Sequence, residues 1–172
     1  MKRLFKSVLF VLGILIVAFS FTTFALAEKK EKLLLKTEGY LVKVVVGEDG
    51  KKKEVLQPLP EKVYPGDIIE YKITATNVSN EDLKNVIIGA KIPKGTVYVP
   101  GSATDTPEFS IDGGKTFSKE PVKYYVIENG KKVEKIATPD MYTNIRWKIE
   151  ILKPSESKEF RYRVQVKPIE KG

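Results

Sequence analysis

Beyond Glu28, apolar and polar residues alternate in short runs bounded by Gly, Pro, Asn and Asp. A period of two marks strands with one buried face, as in an antiparallel sandwich or barrel. Ile69, Tyr71, Ile73 and Ala75 point one way, and Glu70, Lys72, Thr74 and Thr76 the other. Ile145, Trp147, Ile149 and Ile151 alternate with Arg146, Lys148 and Glu150. Phe160, Tyr162, Val164 and Val166 alternate with Arg161, Arg163 and Gln165. A fourth run, Val86, Ile88, Ala90 and Ile92, is interrupted by the apolar Ile87, which predicts a central or covered strand. The rings of Tyr71, Trp147 and Tyr162 should therefore share one dry interior between two layers.

Weaker runs predict strands at Leu33 to Val46, Lys52 to Leu56, Phe109 to Ile111, Thr116 to Phe117, Val122 to Ile127 and Val133 to Ile136. Glu48-Asp49-Gly50, Asp112-Gly113-Gly114 and Glu128-Asn129-Gly130 put Gly or Asn where a tight hairpin needs positive φ. Pro65-Gly66 suits the two middle positions of a type II turn. Pro93 and Gly95 stop a strand, and Asn77 can satisfy loose backbone groups at a strand end. No helix of ordinary length is visible. The pattern predicts an all-β, immunoglobulin-like antiparallel β-sandwich of about 8 or 9 short strands.

The first 27 residues have a different character. Met1, Lys2, Arg3 and Lys6 make a basic start, an apolar run extends from Ser7 to Phe24, and Ala25-Leu26-Ala27 offers a small-x-small cleavage pattern. This reads as a signal peptide over residues 1–27, followed by a single sandwich domain over 28–172. The alternative is an uncleaved anchor, since Ser7 to Ala27 approaches the roughly 20 residues that span a bilayer. In both cases the rest is exported, to a periplasmic, cell-surface or secreted location. No cysteine follows the apolar run, so lipoprotein anchoring is not expected. Removing 27 of 172 residues leaves 145, enough for one core without disulfides. Glu28 to Lys32 and Ile169 to Gly172 are charged stretches expected to fray.

Charge and chemistry narrow the function. The formal net charge of +8 falls to +5 once Lys2, Arg3 and Lys6 are set aside, and Lys and Glu are interspersed. Such a mixed surface in an exported chain argues against nucleic acid as a partner. The chain has no His and no Cys, which removes the Ser-His-Asp triad, the thiolate nucleophile, the imidazole base and the Cys/His zinc site. No catalytic residue, cofactor or resident metal is assigned, and the chain is expected not to be an enzyme. Asp67, Asp82, Asp105, Asp112 and Asp140 are isolated near loops and do not make a compact calcium loop, although a site built from separate loops stays open.

Two sets of residues are candidates for binding. Tyr98, Tyr124, Tyr125 and Tyr142 lie near strand ends or loops and could form a platform on which sugars stack. Outward Lys72, Arg146, Lys148, Arg161 and Arg163 would make a basic stripe for an anionic wall polymer if their strands were neighbours in one sheet. Otherwise they are the wet face of the sheet, salted by acids such as Glu70 and Glu150.

Several features fall in a recognisable order. Val63-Tyr64-Pro65-Gly66-Asp67 precedes the alternating strand that ends at Asn77, and Asn85-Val86 and Ile92-Pro93-Lys94-Gly95-Thr96-Val97-Tyr98-Val99-Pro100-Gly101-Ser102 follow. With Ser110-Ile111-Asp112-Gly113-Gly114-Lys115 and the late strands around Trp147 and Tyr162, this resembles the conserved repeat of prokaryotic surface proteins (domain of unknown function eleven). The resemblance runs from Val63 to Lys167, about 105 residues. It implies an immunoglobulin-like sandwich of exported and cell-surface proteins, often present in tandem in adhesive or scaffolding chains. Only one copy is present here, which departs from that setting. The expected function is a non-catalytic cell-envelope domain that presents a rigid sandwich for protein-protein contact or self-assembly. The alternative is a carbohydrate-binding module for a wall or extracellular polysaccharide. A membrane would be engaged only through an uncleaved signal segment.

Overall fold

The run around Tyr71 forms the middle strand of a five-stranded antiparallel sheet in the computed structural model, which describes residues 31–168. Residues 1–30, which include the segment read as a signal peptide, and the terminus Ile169–Gly172 lie outside the described residues. In chain order the strands are β1 (Leu33–Val46), β2 (Lys52–Pro58), β3 (Ile68–Asn77), β4 (Leu83–Lys91), β5 (Thr96–Tyr98), β6 (Glu108–Ser110), β7 (Lys123–Glu128), β8 (Lys131–Ile136), β9 (Asn144–Leu152) and β10 (Ser157–Val166). A single 3-10 turn, η1 (Pro139–Met141), precedes β9. The large sheet has the order β2-β1-β3-β10-β5, a second sheet the order β4-β9-β6, and β7 and β8 pair only with each other. Both β3 to β4 and β9 to β10 cross from one sheet to the other, so the chain builds a β-sandwich and not a flat meander.

The inward residues meet as the alternation requires. Trp147 and Tyr162 are buried, and Tyr71 packs against the same cluster. Tyr71 stacks on Tyr162 with centroids 5.3 Å apart, and Trp147 lies 5.1 Å from Phe160 and 6.1 Å from Tyr162. Ile69, Ile73, Ile88, Ile145, Ile149 and Val164 complete the interior from both sheets. The turn chemistry also holds. Asp67 N donates to Tyr64 O at 3.0 Å around Pro65-Gly66, with Gly66 at φ 88, as a type II turn requires. Asn129 and Gly130, at φ 52 and 75, join β7 to β8 in the primed geometry that matches strand twist.

Four details differ from the pattern read along the chain. The described residues form ten strands, among them the short segment after Gly95, which pairs with β10 as β5. Thr116 and Phe117 are not a strand; the chain returns to Phe109 through Ser118, whose N and O both bond its backbone, at 3.0 and 2.8 Å. The Asp112 carboxylate closes this loop by accepting from Ser110 Oγ (2.7 Å), Lys115 N (3.0 Å), Thr116 N (2.9 Å) and Thr116 Oγ1 (2.6 Å). Four donors on one carboxylate favour its charged form, the Thr116 hydroxyl and amide foremost, and hold its pKa well below the usual range. Third, β4 is an edge strand of the smaller sheet, and Ile87 is 56 % exposed instead of covered.

The fourth difference is a change of face. Ile151 is 46 % exposed while Leu152 is fully buried, so the alternation of β9 slips after Ile149. The opposing strand slips at the same level: Leu83 and Val86 both turn toward the core, with Asn85 between them at φ 52. A left-handed residue in one strand and an extra outward residue in the other keep the pairing register while rotating both strands.

Candidate functional site

Two of the four candidate tyrosines are core residues. Tyr98 closes β5 at 2 % exposure, and Tyr142 follows η1 at 6 %. Phe109 sits between them, 4.7 Å from Tyr98 and 4.5 Å from Tyr142, in an aromatic cluster that seals one side of the sandwich. Tyr98 Oη accepts from Ala103 N at 3.4 Å, and Tyr142 Oη donates to Glu120 Oε1 at 3.1 Å. Burial raises both phenol pKa values, and the Glu120 carboxylate pushes Tyr142 further. Their hydroxyls reach polar partners at the rim while their faces are covered, so neither ring is open to a sugar.

Tyr124 and Tyr125 are neighbours in β7 and so point to opposite faces of the hairpin. Tyr124 is half-buried and packs toward the body, whereas Tyr125 is 55 % exposed. Tyr125 Oη donates to Glu134 Oε2 at 3.0 Å, and Lys132 Nζ lies 4.0 Å from the ring centroid. The structure thus brings Tyr98 and Tyr142 together inside, and leaves Tyr125 as the one of the four with substantial exposure.

The five basic residues do not share a sheet. Lys72, Arg161 and Arg163 are on the outer face of the five-stranded sheet, with Lys72 directly opposite Arg161. Arg146 and Lys148 are on β9, in the other layer. Each meets a carboxylate. Lys72 lies 3.3 Å from Glu38 and 3.9 Å from Glu159, and Arg161 Nε donates to Glu159 at 2.7 Å. Arg163 bridges Glu70 and Glu54, both at 2.8 Å, with Glu70 itself only 6 % exposed. Arg146 Nε and Lys148 Nζ both donate to Glu108 at 2.7 Å, and the Arg146 guanidinium stacks 4.1 Å over Phe117. The hydrogen bonds from Lys148 and Arg146 hold the Glu108 carboxyl below its ordinary pKa. The five cations thus form two ion-paired groups on different layers, each charge met by a carboxylate, and not one basic stripe.

Two of the acids near loops serve turns. Asp67 accepts from Tyr64 N at 2.8 Å and lies 3.3 Å from Lys43, and Asp112 holds the turn after β6. Among the described residues, no group of three His, Cys, Asp or Glu side chains could hold a metal ion.

A different surface emerges from the β7–β8 hairpin. Its register places Lys123 against Ile136, Tyr125 against Glu134 and Ile127 against Lys132, so Tyr125, Ile127 and Ile136 share one face. Ile127 is 72 % and Ile136 62 % exposed, while Tyr124, Val126 and Val133 on the other face are half-buried. The hairpin emerges from two buried feet, Val122 and Ala137, joined by Ala137 N donating to Val122 O at 2.8 Å. Both faces of β7 are apolar in sequence, so periodicity alone assigns neither to solvent. Comparison of the chain with protein-family models, curated proteins and solved structures finds no match in any of the three.

Proposed function

We propose that this chain is an exported, non-catalytic cell-envelope domain that presents a rigid β-sandwich for protein-protein contact or assembly. The observation that carries the reading is the exposed apolar face of the hairpin, Tyr125, Ile127 and Ile136, standing on a body whose Lys72, Arg146, Lys148, Arg161 and Arg163 are paired with acids. An apolar stripe with Lys123, Lys132 and Glu134 around it has the anatomy of a contact surface: an apolar centre and a charged rim. Its backbone adds to this, because among the described residues β7 and β8 pair with no other strand and leave outer edges to which a partner strand can add. Export rests on the basic, apolar and small-x-small order of residues 1–27. The envelope setting rests on the resemblance of Val63 to Lys167 to the surface-protein repeat. The non-catalytic character rests on the lack of His and Cys.

The test is sedimentation of the purified chain and in-cell cross-linking from a photoreactive residue at position 125, with and without Ile127→Lys and Ile136→Lys. The reading expects a defined oligomer or a discrete cross-linked protein that the double variant loses while its strand content stays unchanged. A monomer that gives no cross-link, or one whose cross-links survive the double change, would overturn it.

A further inference from the structure

The sequence pointed to basic residues on the sheet faces, and those are paired with acids. A second set of lysines gathers elsewhere, at one end of the sandwich. There a concavity of about 490 Å³ is lined by Lys91, Lys94, Lys167, Asp140 and Asn144, among others. Lys91 closes β4, Lys94 sits in the turn between β4 and β5, and Lys167 follows the last residue of β10. Backbone bonds tie these segments together. Lys167 N donates to Gly95 O at 2.8 Å, Ile92 N to Thr143 O at 2.9 Å, and Thr143 N to Ser110 O at 2.8 Å. The lysines are thus held at the rim of one concavity by loops of different origin.

Among the described residues, none of the three ammonium groups has a carboxylate within ion-pair distance. Asp140 is the one acid in the lining, and Asp112 nearby is saturated by its own turn. The half-buried Asn144 carboxamide adds a neutral donor and acceptor with no internal partner among the described residues. Among the described residues, three cations against one anion leave two positive charges uncompensated around the hollow, which a ligand of about two negative charges would balance. A phosphate monoester carries about −1.5 to −2 at neutral pH, and compact ammonium groups are suited to it as point charges. The volume falls within the roughly 300–1,000 Å³ of small-molecule sites and exceeds what a bare oxyanion fills, so the anion should carry a polar body such as a polyol.

We propose that this concavity binds a phosphate-bearing polyol or sugar, with Lys91, Lys94 and Lys167 on the phosphate and Asn144 on the ligand's hydroxyls. The site is independent of the protein-contact reading, since no residue of the hairpin lines it. A free sugar phosphate carries this charge on one monoester group, and a polyol-phosphate chain supplies it from two successive diester groups of about −1 each.

The experiment is a titration of the ¹⁵N-labelled full chain with glycerol 3-phosphate, and in a second arm with poly(glycerol phosphate), at fixed ionic strength with sodium chloride as control. Saturable shifts confined to the amides of Lys91, Lys94, Gly95, Gly113, Asn144 and Lys167 are expected. Lys94→Glu and Lys167→Glu should each weaken binding about tenfold. Asn144→Ala, which alters no charge, should weaken it about threefold. Lys153→Glu, at an exposed lysine just past the end of β9 opposite to Asn144, makes the same charge change as Lys94→Glu and should leave the affinity unchanged. Tighter binding of the polymer identifies a chain as the source, and equal affinity a single phosphorylated unit. Shifts that rise linearly and spread over all lysines, or equal weakening by Lys94→Glu and Lys153→Glu, would show only diffuse attraction to a basic protein and overturn the proposal.

Discussion

The side chain of Asn77, at the end of β3 in one sheet, donates to the carbonyl of Leu152, at the end of β9 in the other, at 2.8 Å. The same amide donates to Glu81 O at 2.7 Å, while its oxygen accepts from Ser79 N at 2.9 Å and Ser79 Oγ at 2.7 Å. One fully buried carboxamide thus satisfies the turn after β3 and fastens it to the opposite layer. Asn77→Ala leaves the Leu152 and Glu81 carbonyls without this donor and should cost about 2–4 kcal/mol. Urea unfolding of the two proteins, compared at equal m-value, measures it; a loss below about 1 kcal/mol would mean that water takes the place of the amide.

Trp147 is the sole tryptophan of the chain, 2 % exposed, with Nε1 donating to Thr104 O at 2.8 Å. Trp147→Ala opens a cavity against Phe160 and Tyr162 and should cost about 3–5 kcal/mol. Trp147→Phe keeps much of the packing but loses the donor, for about 1–2 kcal/mol. Native fluorescence should be blue-shifted and resist acrylamide, and both properties should vanish in one transition with strand content.

The Asp112 carboxylate gives the fold an acid sensitivity of known sign. Its folded pKa lies below the ordinary 3.8, so its contribution is complete above that value and is lost as the pH falls through the lowered folded value. Asp112→Asn removes the charge at every pH. The difference in urea midpoint between the two proteins should therefore be constant from about pH 5 to 7 and narrow below about pH 4. A difference that widens in acid would contradict the assigned hydrogen bonds.

Val122 and Ala137 face each other across the base of the hairpin, so the segment between them is removable. Replacing Lys123–Ile136 with Asn-Gly should preserve a cooperative transition and change stability by no more than about 2 kcal/mol, chiefly through the lost packing of Tyr124. Circular dichroism and urea unfolding test this. Collapse of the sandwich would mean that the hairpin is part of its core.

How far the sequence carried can be seen residue by residue. Tyr71, Trp147 and Tyr162 meet because a period of two leaves a strand only one way to bury its rings, and Gly66 and Asn129-Gly130 fix their turns because few backbones suit them. Which sheet receives each strand is a non-local matter. Arg146 and Arg161 look alike along the chain, and only the crossing from β9 to β10 puts them in different layers. Tyr98 and Tyr142 read as loop aromatics because β5 is three residues long and the segment before β9 is a single 3-10 turn, both too short to show a period. Leu152 replaces Ile151 in the interior through a paired slip that leaves the alternating pattern intact on paper.

Because both ends of the hairpin meet at one hydrogen-bonded pair of core residues, the sandwich has in effect a socket. A segment spliced between Val122 and Ala137 should leave the other strands in register, since β7 and β8 share no ladder with them. Under the contact role proposed above, the hairpin's specificity is free to change while the packing around Trp147 keeps the body fixed.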